Sequence, residues 1–333
     1  MTPRSLLLLL SLVVLGLMAW ELRWVLMVLF GAVVLAVALD VPVSWLRRVV
    51  RLSRPQALLA VLVVLGLLSW QLAELLLPDL LAQLNQLTQL VPALIARLAE
   101  LLGGVSVLEG LGSQLSELIT IDKLQPIGAQ LLGFAGGAAS GTVLLLLMGL
   151  LAILLVLDPR SHQRLALALT PAHSRTLVQN LLTESRQALG GWLAGMTLSA
   201  SVVFLLTWAG LAALKVPLAL LSGLICGLLT FVPTIGPTLA SLLPVGVSLL
   251  ISPTLAVQVI VLRLVLQNGE AFLLTPLLLS RTVNLLPTVA LMAQLSLGAL
   301  LGLPGVLLAL PLVVVLQVFS QRVLVEQVMD RWT

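Results

Sequence analysis

The chain of 333 residues is 60% hydrophobic and only 9% charged, with a mean hydropathy of +1.19. Soluble domains carry about 25% charged residues, so a single water-soluble core cannot hide this much apolar surface. The composition therefore predicts an all-α polytopic membrane protein that contacts the lipid bilayer. A formal charge of +4 gives no ground for a nucleic-acid partner, and the single cysteine excludes an intrachain disulfide.

The predicted elements follow one another as apolar windows. Uninterrupted helices are expected near residues 5–20, 24–46, 57–77, 131–157, 191–213 and 254–279. Two further apolar segments, Val216–Leu250 and Leu286–Phe319, are interrupted by proline and glycine. We therefore expect about eight transmembrane segments, with two Gly/Pro-broken helical hairpins in the C-terminal half. The expected regions are N-terminal membrane helices (1–77), an extracytoplasmic amphipathic helical region (78–130), a membrane helix plus a cytoplasmic interfacial helix (131–189) and a C-terminal core (190–333).

The distribution of basic residues predicts which loops face the cytoplasm. Four arginines and no acid lie within residues 47–54, so this loop is expected on the cytoplasmic side. Residues 78–130 hold five acids against two basic residues, which suits the outer side, and residues 158–189 return to an arginine excess. The first broken hairpin then enters from outside and the second from inside, as an inverted repeat would.

Leucines and one valine in and beside the region 78–130 recur at alternating three- and four-residue steps, a spacing typical of a coiled-coil seam. The positions are Leu77, Leu80, Leu84, Leu87, Val91, Leu94, Leu98 and Leu101. One interpretation is a helix that assembles a homo-oligomer outside the membrane. The other is an amphipathic helix that lies on the bilayer or on its own subunit, with a kink at Pro92.

Both broken segments have a proline–glycine corner, and a second proline follows seven residues later, at Pro244 after Pro237 and at Pro311 after Pro304. Each arm before the corner has about sixteen residues, or about 24 Å of helix, which is short of a hydrocarbon core of about 30 Å. Paired segments of this kind often form a transporter's binding site. The alternative is a tight exposed turn between ordinary helices.

At the first corner, prolines four residues apart remove two backbone donors and leave carbonyl groups free to bind a cation or a hydroxyl-bearing solute. The candidate residues there are Thr230, Pro233, Thr234, Gly236 and Pro237. Gly302, Pro304 and Gly305 are the corresponding candidates at the second corner.

Three polar residues, Arg263, Gln267 and Glu270, share one face of the helix predicted near 254–279. Polar groups at membrane depth are costly, so this face must look into the protein or a water-filled path. In the functional hypothesis, Glu270 carries a proton or binds a cation, Arg263 holds an anionic substrate or tunes Glu270, and Gln267 and Asn268 bond the solute. In the structural hypothesis, the face forms a network that locks helix packing.

Enzyme activity is not expected. Both histidines, His162 and His173, lie in the predicted cytoplasmic segment, and the sequence lacks the phosphate-binding motif GxxxxGK[ST]. We therefore predict no catalytic residues, no metal site and no cofactor, with a proton or sodium gradient as the energy source.

From about Gly190 onward the chain resembles the autoinducer-2 exporter family of bacterial membrane proteins. The similarity rests on GWLAG at 191–195, the corner 231–237, Gln267 to Glu270 with Pro276, Asn284-Leu285 before Pro287, and GLPG at 302–305 with ALPL at 309–312. Asn268-Gly269 departs from the pattern, which usually has a larger residue before the glutamate.

This resemblance implies a bacterial cytoplasmic (inner) membrane location, homo-oligomer assembly and export of small solutes. We therefore predict that residues 190–333 form the transport core of a secondary exporter of a small polar metabolite such as autoinducer-2, driven by an ion gradient. A sodium–proton antiporter is one alternative. A non-transporting membrane scaffold or assembly factor is another.

Overall fold

The computed structural model describes residues 14, 16–18, 20–102, 138–232, 235–274 and 286–323, and every regular element among them is helical. The helices are α1 (Arg23–Val50), α2 (Arg54–Leu102), α3 (Ala138–Leu157), α4 (Pro159–Ala168), α5 (Arg175–Ala213), α6 (Ala219–Leu229), α7 (Ile235–Ile251), α8 (Pro253–Gly269) and α9 (Pro287–Phe319). A π-helical turn, Glu270–Leu274, follows α8, and a short 3₁₀ turn, Ala172–Ser174, precedes α5.

Five helical stretches in the described residues are long and apolar enough to cross a membrane: Arg23–Val50, Arg54–Leu94, Ala172–Ala213, Pro253–Leu273 and Pro304–Val323. A sixth span results if α3 and α4, which meet at an angle of 88°, count together. Shorter apolar helices form the hairpin arms. The all-α polytopic class is therefore confirmed, whereas the expected number of eight segments is not. Most of the window 5–20 and the start of the window 131–157 lie outside the described residues.

Helix α2 extends well beyond the predicted window 57–77, because it continues through Pro78 and Pro92 to Leu102. A proline inside a helix removes one backbone hydrogen bond, so other contacts must hold this region helical. Leu80, Leu87, Leu90 and Leu94 of α2 pack against a buried cluster of the chain's own core. Three of the eight seam positions, Leu80, Leu87 and Leu94, therefore pack within the subunit, while Leu77 and Leu84 stay exposed. Residues 103–137 lie outside the described part.

The chain divides into two compact units that interleave along the sequence. The first unit comprises Met1–Val61, Leu144–Trp192 and Leu285–Thr333. The second comprises Leu62–Val143 and Leu193–Asn284. Helices α2 and α5 each contribute one end to each unit.

Charged side chains join the helices of the first unit. The Asp40 carboxylate on α1 accepts hydrogen bonds from Arg54 at the start of α2 and from Arg186 on α5. Glu184 on α5 forms a two-pronged ion pair with Arg322, at 2.7 Å to Nε and 2.6 Å to Nη2. Both arrangements connect segments that are far apart in sequence.

The second broken hairpin belongs to the first unit. Gly302 interrupts α9 with φ 65° and ψ −149°, a conformation that is essentially restricted to glycine. A Cβ at Gly298 would lie 2.8 Å from Cγ2 of Val306, although eight residues of continuous helix would separate them by about 12 Å. The two arms therefore fold back on each other, which confirms the predicted hairpin.

The second unit holds the first broken hairpin, formed by α6 and α7, together with α8. Its buried cluster comprises Leu211, Val216, Leu218, Leu221, Val247 and Val259. The hairpin arms contact each other, since Sγ of Cys226 lies 3.5 Å from the carbonyl oxygen of Ala240. Helix α6 also lies close to α5, where a Cβ at Gly227 would stand 2.8 Å from the Ala200 carbonyl oxygen.

Candidate functional site

The corner of the first hairpin is compact because backbone groups approach one another directly. Helix α6 ends at Leu229, and Thr230 follows as a buried cap whose Oγ1 donates to the Cys226 carbonyl oxygen at 3.0 Å. A Cβ at Gly236 would overlap the Leu229 carbonyl oxygen, so a glycine is required where α7 starts. Pro233 and Thr234, also predicted for this site, lie outside the described residues.

Three side chains of the site donate hydrogen bonds to the carbonyl oxygen of Pro237, which lies in the first turn of α7. It accepts hydrogen bonds from Ser241 Oγ at 2.8 Å, from Gln267 Nε2 at 3.0 Å and from Arg263 Nη2 at 3.4 Å. Gln267 Nε2 also lies 3.4 Å from Ser241 Oγ. Two members of the predicted polar face of α8 therefore reach the predicted corner. This contact joins α8 to the tip of the hairpin.

Arg263 is a buried charge surrounded by neutral oxygen atoms. Its side chain is only 3% exposed, and its guanidinium donates to Ser241 Oγ at 3.1 Å and to Thr207 Oγ1 at 3.0 Å. No carboxylate of the described residues forms an ion pair with it. Within the described part of the chain, the positive charge of its guanidinium is therefore stabilised by the dipoles of hydroxyl and carbonyl groups. Such a group attracts any anionic or strongly electronegative oxygen that enters the site.

Glu270 begins the π-helical turn and contacts a different helix. Its Oε1 accepts a hydrogen bond of 2.9 Å from Ser199 Oγ on α5. The carboxylate is half-buried and lies one helical turn beyond Gln267. The face predicted on α8 thus divides between two neighbours, with Arg263 and Gln267 directed to α7 and Glu270 to α5.

Asn268 does not join this group. Its side chain is exposed, and Nδ2 donates to the Leu264 carbonyl oxygen of its own helix at 2.7 Å. The reason is geometric, because adjacent residues on a helix point about 100° apart. The predicted interaction of Asn268 with a solute therefore has no support in this geometry.

The second corner lies in the other unit. Gly302 and Pro304 are exposed, whereas Gly305 is buried and its backbone approaches the Leu297 carbonyl oxygen. Gly305 thus corresponds to Gly236, because each permits close contact between a corner and a carbonyl of the preceding arm. In both hairpins, therefore, a glycine allows the corner to pack closely against the backbone of the preceding arm.

Three hydroxyl residues that complete the first site, Ser199, Thr207 and Ser241, were not predicted. Ser199 and Thr207 are buried in α5, and Ser241 lies four residues after Pro237 on α7. The sequence contained a signal for them. Each of the three residues has a hydroxyl group within an apolar helix, and polar side chains in membrane helices usually form hydrogen bonds to a neighbouring helix. Which helix they contact depends on tertiary packing.

Comparison with known proteins gives a consistent result. The sequence model of the AI-2E family transporter matches residues 9–324. The chain is 24% identical over 195 residues to the "Putative transport protein YueF" of Bacillus subtilis, which covers 59% of this chain and 53% of that protein. It is 27% identical over 150 residues to the "Putative transport protein YrrI" of the same organism, or 45% of this chain and 42% of that protein.

The matched parts thus span about half the length of these curated relatives. The family match, in contrast, extends over nearly the whole of this sequence. Combined with several apolar helices, it makes the chain a multi-pass membrane protein. The chain belongs to the AI-2E family of transporters.

Proposed function

We propose that the chain is a secondary transporter that exports a small polar solute such as autoinducer-2 across the bacterial cytoplasmic membrane, driven by an ion gradient. The observation that carries the proposal is the convergence of Gln267 and Arg263 on the Pro237 carbonyl oxygen. Hydrogen bonds between a helix face and a hairpin corner are the kind of contact that a polar solute can replace.

In the proposed mechanism, the solute and the Pro237 carbonyl oxygen compete for the same hydrogen-bond donors. Without solute, Gln267 and Arg263 donate to the Pro237 carbonyl and hold the corner of the hairpin against α8. A solute with carbonyl and hydroxyl oxygens offers better acceptors to the same donors. Its binding releases the Pro237 carbonyl and so favours a state in which the hairpin has moved. The solute shifts the equilibrium only by the difference in its affinity for the two states.

Glu270 is the proposed coupling residue. A carboxylate at membrane depth with a hydroxyl as its neighbour can exchange a proton, and the change of charge alters the cost of leaving it half-buried. We expect Glu270→Gln to abolish gradient-stimulated efflux without loss of expression. Glu74→Gln on α2 is the matched control, since it makes the same chemical change at an exposed position.

The test is efflux of labelled autoinducer-2 from proteoliposomes of the purified protein, with and without an imposed pH gradient. Gradient-stimulated efflux that is lost in Glu270→Gln and retained in Glu74→Gln supports the proposal. Equal stimulation in Glu270→Gln and in the wild type would contradict the role of Glu270. No efflux from intact protein under either condition would contradict this substrate.

A sodium–proton antiporter is the second candidate, and one observation favours it. Glu270 Oε1 and Ser199 Oγ lie 2.9 Å apart and supply oxygen atoms, the ligands that hard cations prefer. A sodium-dependent fluorescence response of a pH dye in everted vesicles, absent in Glu270→Gln, distinguishes this activity from solute export. Membership of a transporter family favours either candidate over a non-transporting scaffold. Assembly into a homo-oligomer is part of the proposal.

A further inference from the structure

A second polar site lies in the first unit, at a cavity of about 210 Å³ lined by residues of α1, α2, α3, α4 and α5. Its polar residues are Asp40, Arg54, His162, Gln163 and Arg186, and the rest of its lining is mainly apolar. We call this cavity the arginine pocket. It contains none of the residues of the two hairpin corners, so it has no part in the transport mechanism proposed above.

The arginine pocket carries one uncompensated positive charge. Asp40 contributes −1 and Arg54 and Arg186 contribute +1 each, so these three groups sum to +1. The two described acids that lie nearest the pocket in sequence, Glu184 and Asp158, have other partners. Glu184 binds Arg322 through both carboxylate oxygens, and Asp158 caps α4 through the Ser161 backbone N–H at 3.1 Å.

Both guanidinium groups retain unused donors. Each has five N–H groups. Arg54 donates from Nε to the Val156 carbonyl oxygen and from Nη2 to Asp40, and Arg186 donates from Nη2 to Asp40. The Arg186 side chain is 45% exposed, which leaves its other nitrogen atoms accessible. A planar fork of donors suits the tetrahedral oxygens of a phosphate group.

The pocket lies where an apolar helix meets a helix perpendicular to it. The apolar helix Val143–Leu157 turns by 88° into Pro159–Ala168, and the latter supplies Pro159, His162, Gln163 and Ala166 to the lining. The helix Pro159–Ala168 is amphipathic, and amphipathic helices of low overall hydrophobicity lie in the membrane interface. We infer from this arrangement that the pocket lies at the depth of the lipid headgroups, with apolar lining residues such as Val37 and Leu155.

We propose that the arginine pocket binds the phosphate group of an anionic lipid. The free N–H groups of Arg54 and Arg186 donate to the phosphate oxygens, and the first carbons of the lipid contact Val37 and Leu155. The volume agrees with this assignment. A cavity of about 210 Å³ is smaller than the roughly 300 Å³ at which sites for whole drug-sized ligands begin, and so suits a single headgroup rather than a whole ligand. A free phosphate ion has the same charge chemistry but gains nothing from the apolar lining.

The test uses the full-length protein in a neutral detergent, titrated with dioleoyl-phosphatidylglycerol or dioleoyl-phosphatidylcholine and read by native mass spectrometry. We expect the wild type to retain phosphatidylglycerol in preference to phosphatidylcholine. Arg186→Gln should weaken phosphatidylglycerol binding about tenfold, the scale of one charge-assisted hydrogen bond. Arg175→Gln is the matched control, since it removes the same charge from α5 outside the pocket.

An equal loss in both variants would overturn the proposal, because it would show attraction to the general charge of the surface. Displacement of phosphatidylglycerol by an equal concentration of inorganic phosphate would overturn the lipid as the source. If Arg186→Gln does not fold, the wild type provides the test through arginine modification with phenylglyoxal. Phosphatidylglycerol should then protect Arg186 and leave Arg175 reactive, and unprotected Arg186 would refute the site.

Discussion

The closest backbone contact at the first corner makes Gly236→Ala the sharpest test of the hairpin. The added Cβ would overlap the Leu229 carbonyl oxygen and lie 2.9 Å from its carbon and 3.4 Å from Leu229 Cβ. A backbone atom cannot turn aside as a flexible side chain can, so the arms must separate. Overpacking of this kind costs about 1–3 kcal/mol. If each kcal/mol lowers the unfolding midpoint by about 2–4 °C, the expected decrease is roughly 2–12 °C.

Cys226 supplies the assay. It is the only cysteine of the sequence, is 1% exposed and lies on α6 against α7. A maleimide dye that fluoresces on reaction will therefore label the protein only when this hairpin opens, and a temperature ramp gives the midpoint directly. Gly66→Ala on α2 is the control, since a Cβ there meets nothing within 4 Å. Alanine favours a helix over glycine by about 0.5–1 kcal/mol, so the control should not lose stability.

If Gly236→Ala and Gly66→Ala had the same labelling midpoint, the close contact between residue 236 and the Leu229 carbonyl would be refuted. It would mean that the corner is looser than described and that the Pro237 carbonyl is not held in one place. The same experiment bears on transport. A corner displaced by Gly236→Ala moves Pro237 away from Gln267, so efflux should fall together with the midpoint.

Three further predictions concern other contacts. Gly302→Ala places a side chain in a conformation that is essentially restricted to glycine. It should lower the midpoint of thermal unfolding of the protein by an amount equivalent to about 1–3 kcal/mol. An unchanged unfolding midpoint would argue against the break in α9. Glu184→Gln and Arg322→Gln should show a coupling of about 0.5–1 kcal/mol in a double-mutant cycle, since both groups are partly exposed; strictly additive effects would contradict the ion pair. Ser199→Ala should reduce gradient-driven efflux less than Glu270→Gln does, because the carboxylate remains; the reverse order would disprove the assigned roles.

The hairpin corners could be predicted because proline and glycine act locally. Pro237 and Pro304 each lie next to a glycine in the first turn after a break, where a helix tolerates a proline because the missing N–H would have no partner. The close approaches at Gly236 and Gly305 then follow from the tight turn. The polar face of α8 was predictable for the same reason, since residues spaced by four and three share a side of any helix.

The partners of that face could not be predicted, because they are separated widely in sequence. Ser199 and Glu270 lie 71 residues apart, and Thr207 and Arg263 lie 56 apart. The continuation of α2 through Pro78 was missed for a related reason. The apolar window that defined the predicted helix ended at residue 77, whereas packing of leucines on a distant cluster keeps the helix intact beyond it.

The buried charge of Arg263 has a consequence for how the protein is made. The span that contains it, Pro253–Leu273, has a mean hydropathy of 1.3, the lowest of the five spans in the described residues. An arginine at the centre of an inserting helix costs about 2.5–3.5 kcal/mol. Thr207, Pro237 and Ser241, which supply its oxygen partners, all precede it in the chain and so leave the ribosome first. Chain order therefore makes the polar partners of the arginine available by the time its helix inserts into the membrane.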